Sequence, residues 1–170
     1  MMDRFLLRAQ LRAVLPGGVV LHASSVAEND AAFVFLAQSG GGKSTIMSKL
    51  TQKLFGAIAD DSLVIARGTD GVVRCLPCGS MKQYAGTENI DGATLKAFYF
   101  LEKGSPACRR LITPEYAFYR TMRGSTIMAY GHITKNEQRQ AAAFLAELFN
   151  SFPAYILRYG IHEDPERLLI

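Results

Sequence analysis

The 170-residue sequence predicts an α/β fold, and three observations carry that expectation. Short strand-like apolar runs are interspersed with amphipathic helical patterns, a Gly-rich segment joins one such run directly to a helix, and a polar turn upstream folds two of the runs into a hairpin. With 49% hydrophobic residues the chain can bury a core without disulfides or metals, which predicts one domain over residues 1–170.

Phe5, Leu6, Leu7, Leu11, Val14 and Leu15 recur at helical spacing, and Pro16-Gly17-Gly18 stops the pattern. Residues 19–27 (VVLHASSVA) and 31–37 (AAFVFLA) read as two strands joined by the turn Glu28-Asn29-Asp30. From Lys43 to about Leu54, Ile46, Met47, Leu50 and Leu54 fall on one helical face and Ser48, Lys49, Thr51 and Lys53 on the other, until Gly56 ends the helix. The segment AIADDSLVIAR predicts a short strand up to Asp60-Asp61 and a second through Val64-Ile65, with a further strand, GVVRCLP, after the Thr69-Asp70-Gly71 turn. The polar, unpatterned stretch from Cys78 to Gly92 predicts a long surface loop.

Thr94–Lys103 has the alternation and aromatics of a buried strand. Thr113-Pro114-Glu115 places a hydroxyl cap, a proline and an acid where a helix begins, and that helix runs to Gly124. Tyr116, Tyr119 and Met122 share one of its faces and read as core. Asn136–Phe152 is an amphipathic helix with Phe144, Leu145, Leu148 and Phe149 inward, and Ala154–Gly160 closes the chain as a strand. No internal repeat is present.

Several function classes are excluded at this level. No apolar run approaches the roughly 18 to 20 residues that cross a bilayer. Arg8 and Arg12 interrupt the N-terminal apolar stretch, so no signal peptide is expected. The net charge of +4 suits an anionic partner, but Lys and Arg are scattered, so the expected partner is a nucleotide and not a nucleic acid. Three cysteines, Cys75, Cys78 and Cys108, cannot all pair within the chain and predict reduced thiols in the cytoplasm. Cys75 and Cys78 form a lone CxxC, read as two half-buried strand thiols in preference to a zinc or redox pair.

The chemistry concentrates at residues 38–45. Gln38-Ser39-Gly40-Gly41-Gly42-Lys43-Ser44-Thr45 fits the phosphate-binding pattern G-x-x-x-x-G-K-[ST] between a strand and a helix, with Ala37 at the first position in place of glycine. Glycines let successive N–H groups converge on phosphate oxygens, and the helix N-terminus adds positive potential. Lys43 is expected to reach the outer phosphates of ATP or another nucleoside triphosphate, and the Ser44 hydroxyl to ligate Mg2+.

Transfer of a phosphate to a hydroxyl needs a carboxylate near the terminal phosphate to accept the hydroxyl proton. Asp60, at the end of a short strand, suits that role or holds the Mg2+ through water, while Asp61 alternates to the opposite face if the strand continues. His22 lies in an apolar strand, either as a core residue or as a group that touches the phosphate or holds the aspartate.

The segments LHASSVAENDAAFVFLAQSGGGKST and AIADDSLVI resemble the catalytic domain of HPr kinase/phosphorylase and the smaller HPr-kinase-related proteins. His22 stands 21 positions before Lys43 and Asp60 17 after it, in the family's arrangement, and the likeness covers about residues 17–67. The resemblance implies a mixed sheet with flanking helices around a P-loop, related to phosphoenolpyruvate carboxykinase. It further implies an ATP- and Mg2+-dependent kinase acting on a serine-type hydroxyl of a protein or peptide. Glu88, Arg109 and Arg110 stand by rough position where the family's metal-binding glutamate and catalytic arginine are sought.

Two other readings stay open, a nucleotide-binding regulatory module that does not catalyse and a small-metabolite kinase. The expected partners are thus a nucleotide and a protein or peptide phosphoacceptor, with a homo-oligomer left open and no membrane.

Overall fold

The computed structural model describes the chain except residues 1–3, 54, 79–89, 125, 126, 128, 129 and 170, together with the side chains of residues 4–8 and 130. Glu88 and most of the expected loop from Cys78 to Gly92 lie outside the described residues.

The chain runs α1 (Arg4–Val14), β1 (Gly18–Leu21), β2 (Ser24–Glu28), β3 (Ala31–Leu36), α2 (Lys43–Thr51), β4 (Gly56–Ala59), β5 (Leu63–Arg67), β6 (Val73–Pro77), β7 (Ala93–Lys103), β8 (Cys108–Ile112), α3 (Pro114–Arg123), α4 (Lys135–Ser151) and β9 (Ala154–Tyr159). Short 3-10 turns occupy Tyr130–His132 and Glu166–Leu168. These strands form one sheet in the order β1-β5-β6-β7-β3-β2-β4, with β9 beside the second half of β7 and β8 outside β9. The pairs β3/β7 and β7/β9 are parallel and the others antiparallel, so the sheet is mixed, with helices on its faces.

Local chemistry sets several junctions. Asn29 and Asp30 both adopt positive φ, 49° and 65°, which lets a two-residue turn join β2 to β3 with Glu28 opposite Ala31. The Asp30 carboxylate then accepts a 2.9 Å hydrogen bond from the Thr94 hydroxyl, tying the hairpin to the start of β7. Thr113 caps α3 by accepting the Tyr116 N–H at 3.3 Å, with Pro114 in the first turn. Thr134 and Glu137 make a reciprocal capping box on α4.

Alternation along the strands divides the core. On β3, Ala32, Val34 and Leu36 face one side, where Ala117 of α3 and Ala141, Phe144, Leu145, Leu148 and Phe149 of α4 complete the larger cluster. Phe33 and Phe35 face the other side, under Ile46, Met47 and Leu50 of α2. Leu11 of α1 packs separately on Val20 and Val64.

Four sequence expectations change. The run 19–27 is two strands rather than one, interrupted at His22-Ala23. There the antiparallel ribbon formed with residues 56–67 bends: Leu21 pairs with Leu63 on one side of the bend and Ser25 with Ala59 on the other, at opposite ends of the sheet. Cys108–Ile112 is an additional strand, four of whose five residues are exposed, so it carries no apolar alternation to read. Tyr116 and Tyr119 are not core: they are 44% and 52% exposed, because Ala117 and Thr121 form the inner face of α3. Met122 does pack against the larger cluster. Cys75 and Cys78, expected half-buried, are both buried, and burial pushes the Cys75 thiol well above its ordinary value.

Candidate functional site

The strand β3 ends at Leu36 and delivers the Gly-rich segment to the sheet edge. The Gln38 carbonyl accepts the Gly41 N–H at 2.9 Å, closing a tight turn. A Cβ at Gly41 would sit 2.6 Å from Ala37 Cβ and 2.8 Å from the Gln38 carbonyl oxygen, so this position is glycine for want of space. Gly42, at φ 99°, is the left-handed residue that precedes α2, and among the described residues no side chain caps that helix. Its first-turn amides, from Lys43, Ser44 and Thr45, therefore have no capping side chain, and the positive end of the helix faces outward beside exposed Ser44 and Thr45.

Lys43 is buried, and its Nζ donates to the Ala37 carbonyl at 2.9 Å. Burial lowers its pKa, opposed by the charges of Asp61 and then Asp60. Both carboxylates thus act electrostatically on Lys43. Sheet register explains their approach. Because β2 pairs antiparallel with both β3 and β4, the ends of β3 and β4 emerge at the same edge, with Ser24 opposite Phe35 and Ser25 opposite Ala59. Asp60 follows β4 directly.

The Ser24 hydroxyl lies 3.2 Å from Asp60 Oδ1 and 3.3 Å from the Asp60 carbonyl oxygen, and donates to them. His22, in the bend between β1 and β2, has Nδ1 2.9 Å from the Asp61 carbonyl oxygen and 3.0 Å from Asp61 Oδ1. Asp61 is exposed and Asp60 half-buried, so the two carboxylates do separate, each with its own partner. Next to them the buried Ser62 hydroxyl has no hydrogen-bond partner among the described residues.

The structure therefore brings Asp60 and Asp61 to the same end of the sheet as Lys43 and the segment Gln38, Ser39, Gly40, Gly41, Gly42, Ser44 and Thr45, with His22 beside Asp61. Arg109 takes another place on β8: it donates to the Leu168 carbonyl at 2.8 Å, and its guanidinium lies 4.9 Å from the centre of the Tyr155 ring. Arg110 is exposed on the same strand, opposite Ile156.

Two contributors escape the sequence reading. Ser24 stands two residues after His22, and nothing in its local sequence marks it; strand pairing sets it beside Asp60. Tyr159, the last residue of β9, donates from its hydroxyl to the Gly42 carbonyl at 3.2 Å and braces the loop; burial pushes its pKa up to about 12. A cavity of about 430 Å³ lies on the β7 side of the loop, between Gln38 and Gly41, Phe100 of β7 and the α3 residues Tyr119 and Arg123.

No protein-family model matches the chain, and no curated protein matches it. Solved structures do: the HPr(Ser) kinase/phosphatase from Coxiella burnetii is similar at 10% sequence identity and a TM-score of 0.49, over 88% of this chain and 90% of that one. No described helix is long and apolar enough to cross a membrane.

Proposed function

We propose that the chain is an ATP- and Mg2+-dependent kinase of the HPr-kinase-like type, transferring the γ-phosphate to a serine-type hydroxyl of a protein or peptide. The observation that carries this reading is the strand register that brings buried Lys43, at the start of α2, and the carboxylates that follow β4, Asp60 and Asp61, to the same end of the sheet. An anion-binding helix end and an opposing carboxylate are the two halves of a phosphotransfer site. The sequence resemblance over residues 17–67 supports the same assignment.

In this reading the amides of residues 40–45 and the Lys43 ammonium hold the phosphates, Lys43 exchanging the Ala37 carbonyl for phosphate oxygen. Asp60 accepts the acceptor hydroxyl proton as the new P–O bond forms and the bond to the β-phosphate oxygen breaks, leaving ADP. Ser24 orients Asp60, and His22 orients Asp61. Mg2+, when bound, neutralises charge on the phosphates. Ser44 and Asp60 offer it hard oxygen donors, and because no group of three His, Cys, Asp or Glu is gathered among the described residues, phosphate and water oxygens would complete its shell.

The test is transfer of label from γ-labelled Mg·ATP to a serine-containing peptide library. Asp60→Asn should abolish transfer with the fold intact, and undiminished transfer refutes the assigned role. A second reading, nucleotide binding without turnover, is favoured by the engagement of Arg109 with Leu168 and Tyr155 instead of with the carboxylates. Tight Mg·ATP binding with no transfer from the intact chain selects it.

A further inference from the structure

The 430 Å³ cavity beside the Gly-rich loop falls in the size range of small-molecule sites, roughly 300–1,000 Å³. Its position along the sheet is informative. β3, which feeds the loop, has β7 on one side and β2 then β4 on the other. Asp60 follows β4, two strands away or roughly 10 Å at the usual strand spacing, whereas Phe100 of the cavity wall stands on β7, on the opposite flank. A phosphate chain lying on the start of α2 with its terminal phosphate toward Asp60 directs the group at its other end toward the cavity.

The lining suits that group. Tyr116 and Tyr119 are 44% and 52% exposed and border the same cavity as Arg120 and Arg123, so one face of α3 presents two aromatic rings and two guanidinium planes. Arg120 is committed to Glu102 through a 2.9 Å ion pair and lies 5.3 Å from the Phe100 ring centre. Arg123 donates to the Tyr119 hydroxyl at 2.8 Å, which braces the ring at the cavity wall. Gln38 supplies an amide on the loop side. Aromatic and guanidinium faces stack on nucleobases, and an amide reads their polar edges.

We propose that this cavity receives the nucleoside of the bound nucleotide, with its base against the Tyr116–Tyr119 face of α3. The inference rests on the nucleotide-binding half of the proposed function, and assigns the part of the ligand that the loop itself does not touch.

Calorimetric titration separates the two. Mg·ATP and Mg·tripolyphosphate are titrated into the intact protein, Tyr119→Ala and Tyr119→Phe. Because Tyr119 is half-exposed, both variants should keep the native circular dichroism spectrum. The expected result is that Tyr119→Ala weakens Mg·ATP by about tenfold or more while leaving Mg·tripolyphosphate unchanged, and that Tyr119→Phe, which retains the ring, binds Mg·ATP like the unaltered chain. Equal losses for both ligands, or an unchanged Mg·ATP affinity in Tyr119→Ala, overturns the nucleoside assignment. Unaltered protein that binds tripolyphosphate as tightly as ATP overturns it too and leaves the phosphate-loop reading standing. Unaltered protein that binds neither ligand removes both.

Discussion

The Nδ1 atom of His22 lies 2.9 Å from the backbone carbonyl of Asp61 and 3.0 Å from its carboxylate, so one imidazole fastens the bend of residues 22–23 to the bend of residues 60–62. These are the two corners of a single antiparallel ribbon whose halves, β1/β5 and β2/β4, lie at opposite ends of the sheet. The corner separates two neighbouring carboxylates by partner: Asp61 turns to His22 in solvent, and Asp60 turns to Ser24 near the loop. A pair that looks redundant in sequence therefore has unequal surroundings.

That inequality predicts unequal phenotypes. Asp60→Asn keeps the Ser24 contact in altered form but loses a proton acceptor, and phosphotransfer should fall at least ~100-fold. ATP affinity measured without Mg2+ should stay within about threefold, because no phosphate contact is assigned to this side chain. Asp61→Asn removes an exposed charge that pairs with His22 and supports the Lys43 ammonium but is assigned no part in the proton transfer, and should cost transfer less than about tenfold. Single-turnover assays on the two variants give the comparison; equal losses would contradict the division of roles.

Tyr159 supplies a pH signature. Its hydroxyl is buried against the Gly42 carbonyl, and its folded pKa is pushed up to about 12, against roughly 10 in an unfolded chain. Between those values the unfolded chain has lost the proton and the native state retains it, so native protein binds more protons and stability falls as pH rises through the window. The contribution is fully present below about pH 10. Tyr159→Phe should lose ~1 kcal/mol at neutral pH from the missing hydrogen bond, yet decline less steeply between pH 10 and 12. Urea midpoints across pH 9 to 11.5 measure both; parallel declines in the two proteins would remove Tyr159 as the titrating group.

The sequence made legible those features whose cause is local. The Asn29-Asp30 turn, the Thr113 cap with Pro114 and the glycines before Lys43 each signal through neighbours in the chain. The division of Val19–Ala27 did not signal, because nothing in VVLHASSVA distinguishes one strand from two; the bend follows from pairing with residues about forty positions away. Ser24 and Tyr159 were missed for the same reason, since register alone sets Ser24 beside Asp60 and Tyr159 beneath Gly42. On α3, Tyr116 and Tyr119 misled in the opposite sense: their aromatic character suggested core, while small Ala117 and Thr121 occupy the close contact with the sheet side.

The start of α4 predicts an acid-sensitive link between helices. The Thr134 hydroxyl accepts the Glu137 N–H at 3.3 Å, the Glu137 carboxylate accepts the Thr134 N–H at 2.6 Å, and Arg12 of α1 donates to the same carboxylate at 2.6 Å. The Arg12 guanidinium, with the cap, holds the Glu137 carboxyl down to about 2. Because the folded value lies below the unfolded one, roughly 4.3, this stabilisation is present above the unfolded value and disappears as pH falls toward 2. Thr134→Ala should cost ~1 kcal/mol. Glu137→Gln should flatten the thermal-midpoint profile between pH 4.5 and 2.5, and an unaltered profile would show that other carboxylates dominate acid unfolding.

Gly40 and Gly41 distinguish two reasons for glycine in the loop. Gly40 has φ 74°, with nothing among the described residues within 4 Å of an added Cβ, so alanine there meets only backbone strain. That strain is worth ~1–2 kcal/mol and leaves the loop's path open. At Gly41 the backbone is ordinary but the space is absent: a Cβ would be 2.6 Å from Ala37 Cβ and 2.8 Å from the Gln38 carbonyl oxygen that accepts the Gly41 N–H. Neither neighbour is the end of a flexible side chain, so the backbone itself must move and the turn that aims the following amides opens. Gly40→Ala should therefore lower the thermal midpoint while holding Mg·ATP affinity within about threefold, whereas Gly41→Ala should weaken Mg·ATP at least about tenfold, the loss of one or more charge-assisted amide contacts. If Gly41→Ala binds Mg·ATP like the unaltered chain, the amides of this turn are not what holds the phosphates.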